Sequence, residues 1–299
     1  MKLRIINRNI LNNYNTIIML VTVSFVILTP VIMCICLGVK SSQLMEQLPL
    51  HKIFFTSAWE PSKGNFGFLP FIISSILITI IAVLIAGPIC IFSALYLTQY
   101  ARNRLVRIMQ PVIDILAGIP SVVYGVWGIL IIVPIISSYI APALGLQTTG
   151  YTLLTGSIVL AVMIIPFILN ILIEIIKTVP SELTEATLSL GATKWEVIKH
   201  IIVRKAKPGI ISAFGLGISR AFGETIAVLM VAGNVAKIPN GLFDPVYPLP
   251  ALIANNYGEM MSIPLYDSAL MMAALILFVS IMLFNLLSRI TIYRLEMNL

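Results

Sequence analysis

The chain has 299 residues, 59% of them hydrophobic and only 10% charged, with a mean hydropathy of +1.02. A soluble domain carries about 25% charged residues, so this composition excludes a soluble globular protein and implies an integral membrane protein. The net charge of +7 is spread over short polar segments between apolar runs, which fits the positive-inside pattern and argues against a nucleic-acid groove.

Six apolar stretches are long enough for a bilayer core of roughly 30 Å, which takes about 20 helical residues. They are predicted at about Thr16–Val39, Leu69–Leu97, Pro111–Ser137, Thr152–Ile176, Gly209–Val231 and Tyr266–Ser288. The expected fold is therefore all-α and polytopic: a segment 1–15, one six-span domain over 16–289 and a tail 290–299. Lys2, Arg4 and Arg8 precede the first span, but its apolar run is too long for a signal peptide and no small-x-small cleavage site follows, so it reads as a retained anchor. Cys34, Cys36 and Cys90 fall within apolar spans without metal-ligand spacing, and are expected to be small packing residues with no disulfide.

Between the first two spans, residues 40–68 are rich in turn formers and contain Trp59, Pro61, Gly64 and Gly67. The second span carries Pro88 after Gly87. The third carries Gly118-Ile-Pro-Ser121, then Gly125 and Gly128, where a missing backbone donor and small neighbours allow a bend or close packing. Asp114 is expected in the first turn after Pro111, favoured there by the helix dipole, and Glu174 pairs by spacing with Lys177.

After the fourth span comes a charged amphipathic island, Ser181 to Pro208. Ser181 reads as the N-cap of a first helix with Leu183, Ala186, Thr187 and Leu190 on one face. Gly191 suits the left-handed position that stops it, and Thr193-Lys-Trp-Glu196 is a capping box that starts a second helix. Such an island between apolar spans is expected to dock a soluble partner, the alternative being a merely solvated surface helix.

The fifth span holds Gly215, Ser219 and Gly223 at four-residue spacing, a small-residue ridge for another helix. Beside it run Ser212, Leu216, Arg220 and Glu224. Arg220 lies about ten residues, roughly 15 Å, into the span. A lone charge there costs on the order of 3 kcal/mol, and Glu224 at i+4 can neutralise it. The pair is either self-satisfied at a helix interface or lines a polar path, where guanidinium suits oxyanions through two parallel hydrogen bonds. The last outer loop, 234–265, has four prolines with Tyr247 and Tyr257. Like 40–68, it is read as an ordered loop that either anchors at the interface or docks an external partner.

Fourteen Lys and Arg fall on the side of both termini and the island; Lys40, Lys52, Lys63 and Lys237 fall on the other. Both termini and the loop 178–208 are thus expected to be cytoplasmic. There is no Gly-x4-Gly-Lys-Ser/Thr phosphate loop, no metal-ligand cluster and no sign of a cofactor. If ATP energises transport, the ATPase is another chain.

Glu185-Ala186-Thr187 with Gly191 resembles the Glu-Ala-Ala…Gly coupling loop of ABC importer permeases. Asp114 to Gly128, Ser219 to Asn234 and Ile238 to Asp244 are similar to the phosphate branch of that superfamily, the PstC family, as are Trp59-Glu-Pro and Leu69-Pro-Phe71. The resemblance covers roughly residues 55–290. One departure is Val203-Arg204 where the family has Leu-Pro, with Pro208 further on, which leaves open how the second loop helix ends.

The resemblance implies a MetI-like permease, not an enzyme, in the cell membrane. It implies Glu185, Ala186, Thr187 and Gly191 as the ATPase-coupling residues, and Arg220 and Glu224 as substrate-path candidates. Its partners would be a second, PstA-like permease, PstB-like ATPases, and a PstS-like extracytoplasmic phosphate-binding protein. The alternatives are a sulfate or molybdate permease and a membrane scaffold without a path; the island separates the last, because a scaffold needs no ATPase-docking loop.

Overall fold

The structure, a computed structural model, describes residues 2–259, 263 and 265–296, with side chains from Tyr14 to Arg294. Helix α1 (Lys2–Gln47) leads to a short α2 (Leu50–Phe55) and a two-residue hairpin, β1 (Trp59–Glu60) against β2 (Asn65–Phe66). Then come α3 (Leu69–Tyr100), whose last turn widens to π geometry, α4 (Asn103–Gly118), α5 (Ser121–Ala143) and α6 (Leu153–Lys177). Helix α7 is Ser181–Ser189 and α8 runs over 194–222. The short α9 (Ile226–Val231) and α10 (Leu249–Asn256) precede α11 (Tyr266–Glu296).

Five of these helices are long and apolar enough to cross a membrane: Tyr14–Gln47, Leu69–Tyr100, Ser121–Ala143, Leu153–Lys177 and Tyr266–Arg294. The all-α polytopic expectation stands, with two expected spans redrawn. The third does not begin at Pro111. Pro111 lies inside the amphipathic α4, and the chain breaks at Ile119 and Pro120, because Pro120 cannot continue the ladder and caps α5 instead. The fifth, expected over Gly209–Val231, is interrupted: α8 stops at Phe222 and the chain restarts as α9.

The main core forms where α3 lies along α6. Ala82, Ala86, Cys90 and Ala94 recur every four residues on α3 and are fully buried, so the backbones approach closely. The Cys90 thiol donates to the Ile165 carbonyl at 3.5 Å, in keeping with a packing role. Cys34 and Cys36 on α1 differ from expectation: they are half-buried and exposed, while the end of α1 around Ser41 and Leu44 is what packs against α11.

A second core closes the opposite end. Trp59 makes edge contacts with Phe66, Phe68 and Phe71 at centroid separations of 5.0–5.6 Å, and Phe71 meets Tyr247 at 5.4 Å. Asn255 and Asn256 both donate to the Tyr247 hydroxyl, at 3.0 and 2.8 Å. The loops 40–68 and 234–259 are thus folded onto each other as ordered structure.

Gly125 and Gly128 let α5 seat against α9 and α6. A Cβ at Gly128 would lie 2.6 Å from Val159 Cγ2 and 2.9 Å from Val231 Cγ1, both stiff β-branched neighbours. Gly128→Ala is therefore expected to cost about 1–3 kcal/mol by overpacking. Thermal unfolding of the purified protein would read this as a lowered midpoint, and an unchanged midpoint would contradict the packing.

Candidate coupling and translocation site

The loop 178–208 is built from local chemistry. The sequence places the N-cap of α7 at Ser181, but the helix begins one residue earlier: Pro180 is the cap and makes no side-chain bond, while Glu182 brings negative charge to the first turn. At the other end the Gly191 N–H donates to the Leu188 carbonyl at 3.0 Å, with φ of +86°. The capping box of α8 is complete: the Thr193 N–H donates to Glu196 Oε2 at 2.7 Å and the Glu196 N–H to Thr193 Oγ1 at 3.3 Å. The Thr193 backbone and hydroxyl donors hold the Glu196 carboxyl below its usual range. Because that pKa is depressed on folding, the cap's contribution is present at neutral pH and disappears as the pH falls through the folded value.

No residue of α7 is buried. Leu183 and Leu190 are 42% and 88% exposed, Glu185 and Ala186 face solvent, and the half-buried Thr187 donates to the Leu183 carbonyl at 2.7 Å. Val197, Ile198 and Ile202 bury the start of α8 in the main core, and one polar contact adds to them. Lys194 Nζ donates to the Gln99 carbonyl at 3.2 Å and lies 5.2 Å from the Tyr100 ring centroid, so a cation sits on the orphan carbonyls ending α3.

The second loop helix does not end within the loop. It passes through a π turn at Ile198–Ile202 and through Pro208 straight into the bundle. Two glycines lay it along α6: Cβ atoms at Gly209 and Gly217 would lie 2.5 Å from Ile175 Cγ2 and Ile168 Cδ1. On another side the small-residue ridge faces α11, with Gly215 against Ser288 and Gly223 near Ile281.

Arg220 and Glu224 are not paired. The only ion pair among the described residues is Lys63 with Glu60, at 2.8 Å. The i+4 argument requires a continuous helix, and α8 ends before Glu224. The Gly223 N–H donates to the Ser219 carbonyl and the Glu224 N–H to Ala221, after which Glu224 Oε1 accepts from the Ala227 N–H at 3.3 Å. Glu224 thereby satisfies an open donor at the start of α9. The Arg220 guanidinium lies 4.5 Å from the Phe167 ring centroid on α6, and Arg220 is an exposed residue. It is held by a ring face and retains free donors for an anion.

Near this cation is a polar chain between α4 and α6. Gln110 Nε2 donates to Asn170 Oδ1 at 3.1 Å, and Asn170 Nδ2 to Asp114 Oδ1 at 2.9 Å. Asn170 stands one turn from Phe167. Asp114, expected in a first turn, is therefore inside α4 and anchored by a partner from another helix. Ser212 and Leu216 line a groove of about 550 Å³ with Asn285 and Arg289 of α11. Sequence reasoning missed Phe167, Asn170, Arg289 and the clamp by Lys194. Their polar or aromatic character inside or beside apolar spans was a visible signal, but their pairing is long-range.

Residues 86–296 match the family described as binding-protein-dependent transport system inner membrane component. The chain belongs to that family. It is therefore the permease component of an ABC transport system, whose ATPase is a separate subunit. The chain is 39% identical to a probable ABC transporter permease protein, YqgH, of Bacillus subtilis, over 85% of this chain and 82% of that one. It is 36% identical to the phosphate transport system permease protein PstC of Xylella fastidiosa, covering 84% and 81%. With the probable PstC of Methanocaldococcus jannaschii it shares 35%, covering 79% of each. The fold of this permease is shared with the inward-facing MetNI methionine ABC transporter, at a TM-score of 0.52 and 18% identity over 74% of this chain and 91% of that one.

Proposed function

We propose that the chain is a permease subunit of an ATP-driven importer of inorganic phosphate, forming the path with a second, PstA-like permease. The observation that carries this is the similarity to phosphate permeases from both a bacterium and an archaeon over about four-fifths of each chain. An unpaired guanidinium on Phe167 agrees with it, since an oxyanion can take two of its donors. In this reading a PstS-like binding protein delivers phosphate to the outer loops. PstB-like ATPases grip Glu185, Ala186, Thr187 and Gly191, and Arg220 offers charge to the passing anion. Glu224 fixes the end of the broken helix beside it. The six-span domain covers 16–289, and the tails 1–15 and 290–299 face the cytoplasm with the loop 178–208.

The direct test is copurification and uptake. Expressed with its neighbours in cells lacking phosphate permeases, the chain should restore phosphate uptake and bring an ATPase and a second permease through purification. Uptake of sulfate or molybdate instead would move the reading to another oxyanion, and a complex without an ATPase would return it to a scaffold. Orientation is tested separately. Single cysteines in 40–68 or 234–265 should react with impermeant thiol reagents in intact cells, those in 182–206 only after permeabilisation. The reverse pattern would remove the coupling assignment.

A further inference from the structure

A slot on the outside of the bundle has the dimensions and chemistry of a phospholipid site. One cavity of about 310 Å³ lies between α3, α8 and α11, walled by Ile80, Leu84, Ile218 and Phe284. A second, of about 290 Å³, shares Ile218 and Phe284 and continues along α8 and α11 to Ile211 and Thr291. Together they form one apolar channel running towards the end of α8 that carries the loop. Its deep end is floored by Phe222 against Phe284, edge to face at 5.2 Å.

By helical spacing, two cations follow beyond its other end. Lys207 is one turn before Ile211, on the helical face that carries Ile211 and Ile218. Arg294 follows Phe284, Leu287 and Thr291 at spacings of three, four and three on α11. Both are exposed. The eleven residues from Lys207 to Ile218 rise about 17 Å, close to the ~15 Å of one leaflet's hydrocarbon. A slot one leaflet deep, walled mainly by apolar side chains and followed by two cations on its helices, matches an acyl chain attached to an anionic headgroup.

We infer that this slot binds an anionic phospholipid, with one acyl chain against Ile218 and Phe284 and its phosphate at Lys207 and Arg294. The inference needs only that the chain spans a membrane, and it stands or falls independently of the transported substrate. Basic residues at a membrane surface attract acidic lipid, and both cations lie away from the Arg220 face.

The test is native mass spectrometry of the purified permease complex, delipidated and then offered equal dioleoyl phosphatidylglycerol and dioleoyl phosphatidylcholine. The wild type should retain phosphatidylglycerol preferentially. The double variant Lys207→Gln, Arg294→Gln should lose that preference by up to about thirtyfold, given two surface cations. Ile218→Trp, which fills the slot, should lower retention of both lipids. Equal retention of the two lipids by the wild type would overturn the inference, as would an unchanged preference in the double variant. So would an oxidant-induced disulfide between Leu84→Cys and a cysteine introduced in the second permease, with no lipid retained, because a protein helix would then occupy the slot.

Discussion

Replacing Gly191 by valine is expected to lower phosphate uptake about tenfold per ATP hydrolysed while leaving the permease inserted in the membrane. The glycine has φ of +86°, and a side chain there would meet no atom within 4 Å, so this chain offers no clash to explain a defect. What valine brings is backbone strain, about 1–2 kcal/mol for any L-residue in the left-handed region and more for a β-branched one. The loop relieves that strain by moving α7 relative to the capped start of α8. Asparagine tolerates the left-handed region, so Gly191→Asn should keep most of the uptake. Reconstituted complexes assayed for both ATP hydrolysis and uptake make the comparison. If valine and asparagine behaved alike, whether both active or both dead, conformation at residue 191 would not be what matters.

The second large effect is expected at Arg220. Since Glu224 is engaged with the Ala227 N–H, Arg220→Gln leaves no abandoned partner, and the variant should assemble normally while uptake falls roughly a hundredfold. A neutral amide cannot offset an anion in a low-dielectric passage. Arg220→Gln with Glu224→Gln should transport no better than Arg220→Gln alone, because there is no pair to rebalance. Recovery of uptake in the double variant would mean that the two side chains do neutralise each other in the assembled complex. Normal uptake by a correctly assembled Arg220→Gln protein would end the anion-path role.

The parts that were legible in the sequence are those decided within a few residues. Hydropathy located α1, α3, α6 and α11, and the turn at Gly191 and the box at Thr193 and Glu196 followed from local hydrogen-bonding rules. The breaks were harder. Gly118-Ile-Pro-Ser121 is compatible with a kinked helix or with two helices, and only the surroundings choose. Gly223 looked like one step of a packing ridge and is also where α8 stops, which separates Arg220 from the carboxylate that spacing assigned to it. The contact of Arg220 with Phe167 and the chain Gln110–Asn170–Asp114 join different helices, and periodicity within one helix carries no information about them.

The helix over 194–222 has a mechanical consequence. From Lys194 to Arg220 there are 26 residues, an arm of about 39 Å at 1.5 Å per residue. Pivoted at its far end, it converts a tilt of about 10° into a displacement of about 7 Å, more than one helical turn. Two fulcrums along it are the close seats of Gly209 on Ile175 and Gly217 on Ile168. A pivot there sends the loop end and the guanidinium end in opposite directions, like a beam on a knife edge. The Lys194 contact with Gln99 and Tyr100 joins the tip of α3 to the beam, so two walls of the bundle meet at the loop end. The π turn at Ile198–Ile202 is the one wide place in the arm, and its stiffness would set how much of the push arrives.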